Sequence, residues 1–266
     1  GVPGIMDIYR AGGITLHDTL TRDQAVDWML RSSENGSSVM STVSAARHNA
    51  RQVRTALTEE GWEATNGAYM EVKSLLARKV TDRDLPEVLG KIRHRTALVR
   101  GATHGTMMRN DIYDFVRLGT FLERADNTAR ILDVKYYVLL PSAMSVGSSI
   151  DNVQWDSILS SVSARGGFRM AFGNTGGPRD IAEFLILDRR MPRSLAFCVG
   201  KILDNLGYLI NDYGFRGEAI EHAEALAENC VTTDIDAVFE VGLHEFLQDV
   251  LLRLGLLGQQ IEIDYR

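Results

Sequence analysis

The sequence predicts an all-α protein, a single multi-helix, bundle-like domain built from two related helical halves. Long stretches place apolar residues at steps of three and four, which is the period of a helix with one buried face. No stretch shows a convincing strand pattern. With 266 residues, 45% hydrophobic and 24% charged, the chain has the composition of a globular protein that can bury a sizeable core.

The helices of the first part of the chain follow recognisable start signals. These are Thr or Ser residues that can cap the first free N–H groups, and a Pro in a first turn, where its missing N–H costs least. The predicted helices, with their signals, are 23–30 (Thr21), from Ser37 or Ser38 to about 57, 59–79 (Thr58), and from Asp84 to about 104 (Pro86).

Residues 113–140 form the longest predicted helix, and we expect function to centre on it. This stretch contains no proline and one glycine, Gly119. Its apolar residues recur at helical spacing and predict one buried face. They are Phe115, Leu118, Leu122, Ala125, Ala129, Leu132 and Tyr136. Further helices are predicted at 151–164, 179–187, 192–211, 217–229 and 237–262, with a glycine-rich loop at 166–178.

Polar residues of both charge signs form a strip along the rest of the central helix. The candidate pocket residues in it are Arg117, Glu123, Arg124, Asp126, Asn127 and Arg130. One interpretation is a solvated face with pairs three or four residues apart. In a second, guanidinium–carboxylate bonds cross-link neighbouring helices; in a third, the arginines line a pocket for a carboxylate or phosphate. We expect Glu123 and Arg124 to be largely buried and paired with polar groups of another helix.

A second candidate site precedes the helix predicted at 192–211. Arg189, Arg193 and Ser194 lie next to its N-terminus, where free N–H groups and guanidinium groups together suit an anion. The alternative is a solvated turn. The glycine-rich loop lacks the ending of a phosphate-binding P-loop, although Arg169 and Arg179 leave a weaker anion-binding hypothesis there.

The chain also contains a candidate internal repeat. A shift of 156 residues aligns the short helix, polar loop and Ser-initiated long helix around Ser38 with those around Ser194. This predicts related halves at 23–110 and 179–266, separated by the central helix at 111–140.

Several functional classes receive no support. A net charge of −6 without a basic run does not favour nucleic-acid binding. No apolar run approaches the roughly 20 residues that span a bilayer, and no export signal is visible, so we expect a cytoplasmic protein. Cys198 and Cys230 have no neighbours at metal-ligand spacing, which predicts buried reduced thiols and no metal site. No cofactor motif or nucleophile motif is present.

Four segments resemble one known family. They are FLERADNTARILDVKYYVLL (121–140), FLILDRRMPRSLAFC (184–198), VSAARHNARQVR (43–54) and GLHEFLQDVLLRLG (242–255). Together they resemble the alpha-E family, a bacterial all-helical domain named for its Glu-Arg motif. That family usually has an earlier Glu-Arg helix near the N-terminus. This chain does not show one, so the helix is either lost or missing from a truncated sequence.

The resemblance implies a partner more than a chemistry. Relatives are typically encoded beside an ATP-grasp protein resembling peptide or amide ligases, and often beside a transglutaminase-like protein. The leading hypothesis is therefore a helical partner or substrate-binding component of an ATP-grasp-linked peptide-modifying or amide-forming system. An alternative is an enzyme acting on an acyl-phosphate or peptide in an inter-helix polar pocket lined by Glu123, Arg124 and Asn127. Glu123 and Asp126, three residues apart on one helix, could in principle act as an acid–base pair. A third is a purely structural helical scaffold.

Overall fold

The computed structural model describes residues 21–138, 149–174 and 176–266, and these residues form α-helices with no strand. The predicted all-α class is confirmed. The helices are α1 (Arg22–Arg31), α2 (Val39–Gln52), α3 (Glu59–Leu75), α4 (Leu85–Thr106), α5 (Asp111–Val138), α6 (Ser149–Ser161), α7 (Arg165–Phe172), α8 (Pro178–Leu187), α9 (Leu195–Tyr213), α10 (Ala219–Ala227), α11 (Ile235–Val241) and α12 (Leu243–Asp264). A 3₁₀ turn, Arg54–Ala56, follows α2, and a π-helical turn, Glu228–Thr232, follows α10.

The predicted caps begin three of the early helices. The hydroxyl groups of Thr21, Ser38 and Thr58 each accept a hydrogen bond from the backbone N–H three residues later, over 3.1–3.3 Å. Each bond satisfies one of the donors that a helix start leaves without an intrahelical partner. These boundaries follow from local sequence alone.

The chain divides into two compact units, residues 1–113 and 114–266. In the first unit, α3 packs against α2 and α4 around a small core of Leu30, Val72, Leu76 and Val88. The second unit contains a much larger core, to which α5, α8, α9, α10 and α12 all contribute. Its largest fully buried side chains include Phe121, Leu185, Ile202, Leu226 and Leu247.

The glycine-rich stretch 166–178 is only partly a loop, so its prediction is wrong for the first half, which forms α7. Tertiary packing of aromatic rings accounts for the helix. The ring centroids of Phe168 and Phe172 lie 5.7 and 6.1 Å from that of Phe184 on α8. A Cβ at Gly167 would lie 3.2 Å from the Phe184 ring, so this glycine allows the two helices to approach closely.

The helix predicted at 237–262 is interrupted. Gly242 adopts φ +106°, a conformation that residues with a side chain rarely adopt, and it separates α11 from α12. Asp234 caps α11 through the N–H of Ala237, at 2.8 Å. The apolar pattern continues across the break, and for this reason the sequence predicts one helix.

The loops before α2 and α9 share their hydrogen-bond pattern. In both, a fully buried Ser caps the following helix, and its own N–H donates to a carbonyl three residues earlier, over 3.0 Å for Ser38 and 2.9 Å for Ser194. In both, the first loop residue accepts a backbone N–H through its side chain, Ser32 from Glu34 and Asp188 from Arg190. The organisation of the whole domain as two related halves stays a prediction.

None of the described helices is long and apolar enough to cross a membrane. The expected loss or truncation of the family's earlier Glu-Arg helix concerns the N-terminus, where residues 1–20 lie outside the described residues.

Candidate functional site

The central helix α5 presents its buried face to the core of the second unit. The fully or almost fully buried positions on it are Leu118, Phe121, Ala125, Thr128, Ala129 and Leu132. Of the predicted core residues, Phe115 and Leu122 are only partly buried, and the side chain of Tyr136 lies outside the described residues. The buried face is therefore rotated slightly toward Phe121 and Thr128, which the sequence analysis did not assign to it.

Arg124 connects the central helix to the loop before α9. Its guanidinium donates a hydrogen bond to the backbone carbonyl of Pro192 over 3.0 Å and lies 5.4 Å from the centroid of the Phe121 ring. The Arg117 guanidinium lies 4.4 Å from the same centroid, so two cations flank one buried ring. Arg124 is half-buried. The acceptor of this hydrogen bond is a backbone carbonyl of the loop, and a partner of Arg124 on another helix stays a prediction.

Thr128 makes a second connection to this loop. Its fully buried hydroxyl donates to the carbonyl of Arg193 over 2.8 Å. The sequence contained a signal for this role, because Thr128 lies seven residues after Phe121 on the same helical face. A hydroxyl on a buried face must find a hydrogen-bond partner, and neighbouring loops supply free carbonyls.

The rest of the charged strip faces outward. Glu123 is exposed, so its predicted burial is wrong, and its backbone carbonyl accepts the side-chain amide of Asn127 over 2.8 Å. Arg130 donates two hydrogen bonds to Asp126, over 2.7 and 3.0 Å, and this bonding raises the pKa of Arg130. Asp126 is partly buried, whereas Asn127 and Arg130 are exposed. Part of the strip therefore corresponds to the solvated-face interpretation.

Asp133, one turn beyond Arg130, connects α5 to α12. One of its carboxylate oxygens lies 2.6 Å from Nδ1 of His244, and the other accepts the amide of Gln248 over 2.9 Å. His244 and Gln248 each lie more than a hundred positions from Asp133 in the sequence, so no local pattern predicts this contact. Together with the loop contacts, it fixes both the middle and the C-terminal part of the strip against neighbouring elements.

The three candidate anion-binding residues lie in different surroundings. The buried hydroxyl of Ser194 donates to the carbonyl of Asp188 over 2.6 Å and accepts the N–H of Phe197 over 3.0 Å. Arg189 donates to the carbonyl of Val231 over 2.9 Å, and Arg193 is half-buried. Ser194 thus stabilises the loop itself, while the joint anion-binding role of these residues stays a prediction.

Asp188 and Arg190 form the charged pair at the start of this loop. Two guanidinium nitrogens of Arg190 bond the Asp188 carboxylate, over 2.8 and 3.2 Å. These bonds hold the pKa of Asp188 below its ordinary value. The loop 188–194 is consequently ordered by its own hydrogen bonds as well as by Arg124 and Thr128.

Cys198 and Cys230 are both free and buried. Burial raises the pKa of each thiol to about 12, even though Arg124 and Arg193 act in the opposite direction on Cys198. At neutral pH both groups are therefore protonated and poorly nucleophilic. In the part of the chain that the structure describes, no three His, Cys, Asp or Glu residues are grouped so that they could hold a metal ion.

Three cavities lie between α6, α7, α8 and the loop 188–194, with volumes of about 480, 260 and 210 Å³. None of the strip residues from Arg117 to Asp133 lines any of them. Glu123 and Arg130 are exposed, whereas Arg124 and Thr128 bond the loop 188–194, so the strip has one face toward solvent and one edge attached to that loop.

One family model matches the chain, over residues 6–265, and the family is described as "a predicted alpha-helical domain with a conserved ER motif". No curated protein and no solved structure matches. The only Glu-Arg dipeptide in the sequence is Glu123-Arg124, at the centre of the site described above. Since the match covers nearly the whole chain, this protein belongs to the Alpha-E family.

Proposed function

We propose that this chain is a helical partner or substrate-binding component of an ATP-grasp-linked system that modifies peptides or forms amide bonds. The observation that supports this proposal most is that the two residues of the Glu-Arg motif lie in different environments. Arg124 faces inward and holds the loop 188–194, whereas Glu123 is exposed one position away. An exposed carboxylate on a rigid helix is available to a partner protein.

The outward part of the strip suits a protein surface better than a small ligand. We name Glu123, Asn127 and Arg130 the outer strip; they are exposed and follow one another at steps of four and three, over about 10 Å of helix. Small-ligand sites are concave and mainly apolar, while the rim of a protein interface is polar and accessible. Because Asp126 pairs with Arg130, the carboxylate of Glu123 is the main uncompensated charge of the outer strip.

The enzyme alternative receives less support from the same residues. An acid–base pair of Glu123 and Asp126 needs a cavity in which a substrate meets both groups. Asp126 instead bonds Arg130, and the side chain of Glu123 is exposed. An ATP-grasp ligase-like protein would supply the ATP chemistry, and a transglutaminase-like protein is a second candidate partner.

The proposal is tested by measuring the affinity between the chain and the ATP-grasp protein encoded nearest its gene. We expect specific binding between the two proteins. Glu123→Arg should weaken this binding at least tenfold, because a basic surface of the partner that attracts the Glu123 carboxylate would repel an arginine at this position. Glu240→Arg is the matched control, since Glu240 is exposed on α11 and the substitution changes the net charge equally.

Melting temperatures of both variants should equal that of the parent, which separates binding from folding. Absence of binding by the parent chain contradicts the ATP-grasp partnership and favours the scaffold alternative. Equal weakening by Glu123→Arg and Glu240→Arg contradicts a docking role for the outer strip, because only the overall charge would then matter.

A further inference from the structure

The largest of the three cavities is a candidate small-molecule site, and it is separate from the Glu-Arg strip. It opens between α6, α7 and α8 in the second unit and has a volume of about 480 Å³. This volume lies within the range of roughly 300–1,000 Å³ that is common for ligand pockets. Binding of a ligand at this cavity would be independent of the proposed ATP-grasp partnership.

The floor of the cavity is apolar and aromatic. Trp155, Leu159, Phe168 and Ile181 line it, and each of these side chains is at least nine-tenths buried. Such a floor binds an aromatic or branched aliphatic group through area removed from water and through ring contacts. An apolar part of the ligand is therefore expected at the floor.

The rim of the cavity carries a net positive charge. Arg165 and Arg169 both line it, and Arg165 forms an ion pair with Asp156. Arg169 is exposed and makes no ion pair with any residue in the described ranges. Two guanidinium groups against one carboxylate leave one positive charge at the rim, which a single carboxylate of a ligand would balance.

Glycines bring one segment of the cavity lining close to the aromatic floor. A Cβ at Gly176 would meet the ring of Phe168 far inside van der Waals contact, and it would meet the Phe172 side chain at 3.2 Å. Only glycine allows the backbone to lie directly over this ring. Gly173, at φ +70°, turns the chain out of α7 toward that position.

We propose that this cavity binds a small molecule with one carboxylate and one apolar side group, of the size of an N-acylated aromatic amino acid or the end of a peptide. The apolar group contacts Trp155 and Phe168, and the carboxylate accepts hydrogen bonds from Arg169. The cavity volume of about 480 Å³ accommodates a ligand of that size.

The test uses three probes that differ in one feature each, with the full chain. N-acetyl-L-phenylalanine carries both features, its amide lacks the charge, and N-acetylglycine lacks the apolar side group. The readout is the indole N–H resonance of Trp155 in a two-dimensional ¹H–¹⁵N spectrum, assigned by its loss in Trp155→Phe. We expect N-acetyl-L-phenylalanine to bind with a Kd on the order of 1 mM or tighter, and the other two probes to bind at least about tenfold more weakly.

The decisive variant is Arg169→Gln, which removes the charge that has no partner at the rim. It should bind N-acetyl-L-phenylalanine about as weakly as the parent binds the amide. Arg266→Gln is the control, because this arginine is exposed at the end of the chain and does not line the cavity. The proposal is overturned if the Trp155 resonance does not respond, if the parent binds acid and amide equally, or if both arginine variants have the same effect.

Discussion

Thr128→Val isolates the hydrogen bond that attaches the loop 188–194 to the central helix. The substitution keeps the branched shape of the side chain but removes the hydroxyl that donates to Arg193. Thr128 is fully buried, so water cannot replace the lost donor on that side. An unsatisfied buried carbonyl costs about 1–3 kcal/mol, and we expect the free energy of unfolding to fall by about that amount.

Thr120→Val on the same helix is the matched control. Its hydroxyl also donates to a backbone carbonyl, that of Val116 over 2.8 Å, but this bond lies at the surface within the helix. We expect the control to change stability by no more than about 0.5 kcal/mol. For a unit of this size, the Thr128→Val loss corresponds to roughly 2 to 10 °C in melting temperature, measurable by calorimetry. Equal melting temperatures of the two variants would refute the structural role of Thr128.

Three further predictions concern backbone, thiols and pH. Gly242→Ala should lower the free energy of unfolding by about 1–3 kcal/mol in denaturant titrations, because Gly242 has a positive φ. Gly255→Ala is the control and should raise it by up to about 1 kcal/mol, because Gly255 lies within a helix and a Cβ there would meet no other atom within 4 Å. Cys198 and Cys230 should resist alkylation at pH 8 in the native state and react fully in denaturant, since burial raises both pKa values to about 12; equal rates in the two states would contradict the burial. The hydrogen-bonded guanidinium of Arg190 lowers the pKa of Asp188 in the folded protein. The ionised Asp188 carboxylate therefore stabilises the fold above its unfolded pKa of about 3.8, and this stabilisation is lost as the pH falls through the lower folded pKa. Asp188→Asn should therefore be destabilising at pH 7 and approach the parent as the pH falls through the lowered folded pKa of Asp188. A difference that stays constant with pH would contradict this linkage.

The sequence predicts the elements that depend on near neighbours. Helix starts at Thr21, Ser38 and Thr58 need only a side-chain oxygen three residues before a free N–H, and all three are found. The helix α7 needs the ring of Phe184 from another helix, and its five nearby glycines point toward a loop instead. The break at Gly242 requires a backbone angle that the apolar pattern does not reveal.

The sequence indicates which residues of the central helix are polar, but it does not reveal how their side chains are oriented; the site itself stays a prediction. Helical spacing correctly gathers the polar residues on one side of the central helix. It does not reveal that the partner of Arg124 is the carbonyl of Pro192, because a backbone group leaves no signature in the sequence. The sequence therefore predicts a buried, paired Glu123, whereas its side chain is exposed in the structure. Asp133 and His244 meet only through the tertiary fold.

ATP turnover tests most directly the proposed role of the outer strip as the surface that binds an ATP-grasp protein. The rate of ATP hydrolysis by the ATP-grasp protein nearest its gene is measured with peptide substrate, alone and with the parent chain, Glu123→Arg or Glu240→Arg. We expect the rate to rise severalfold with the parent and with Glu240→Arg but not with Glu123→Arg. A rate that is the same with and without the parent chain would contradict the proposed role.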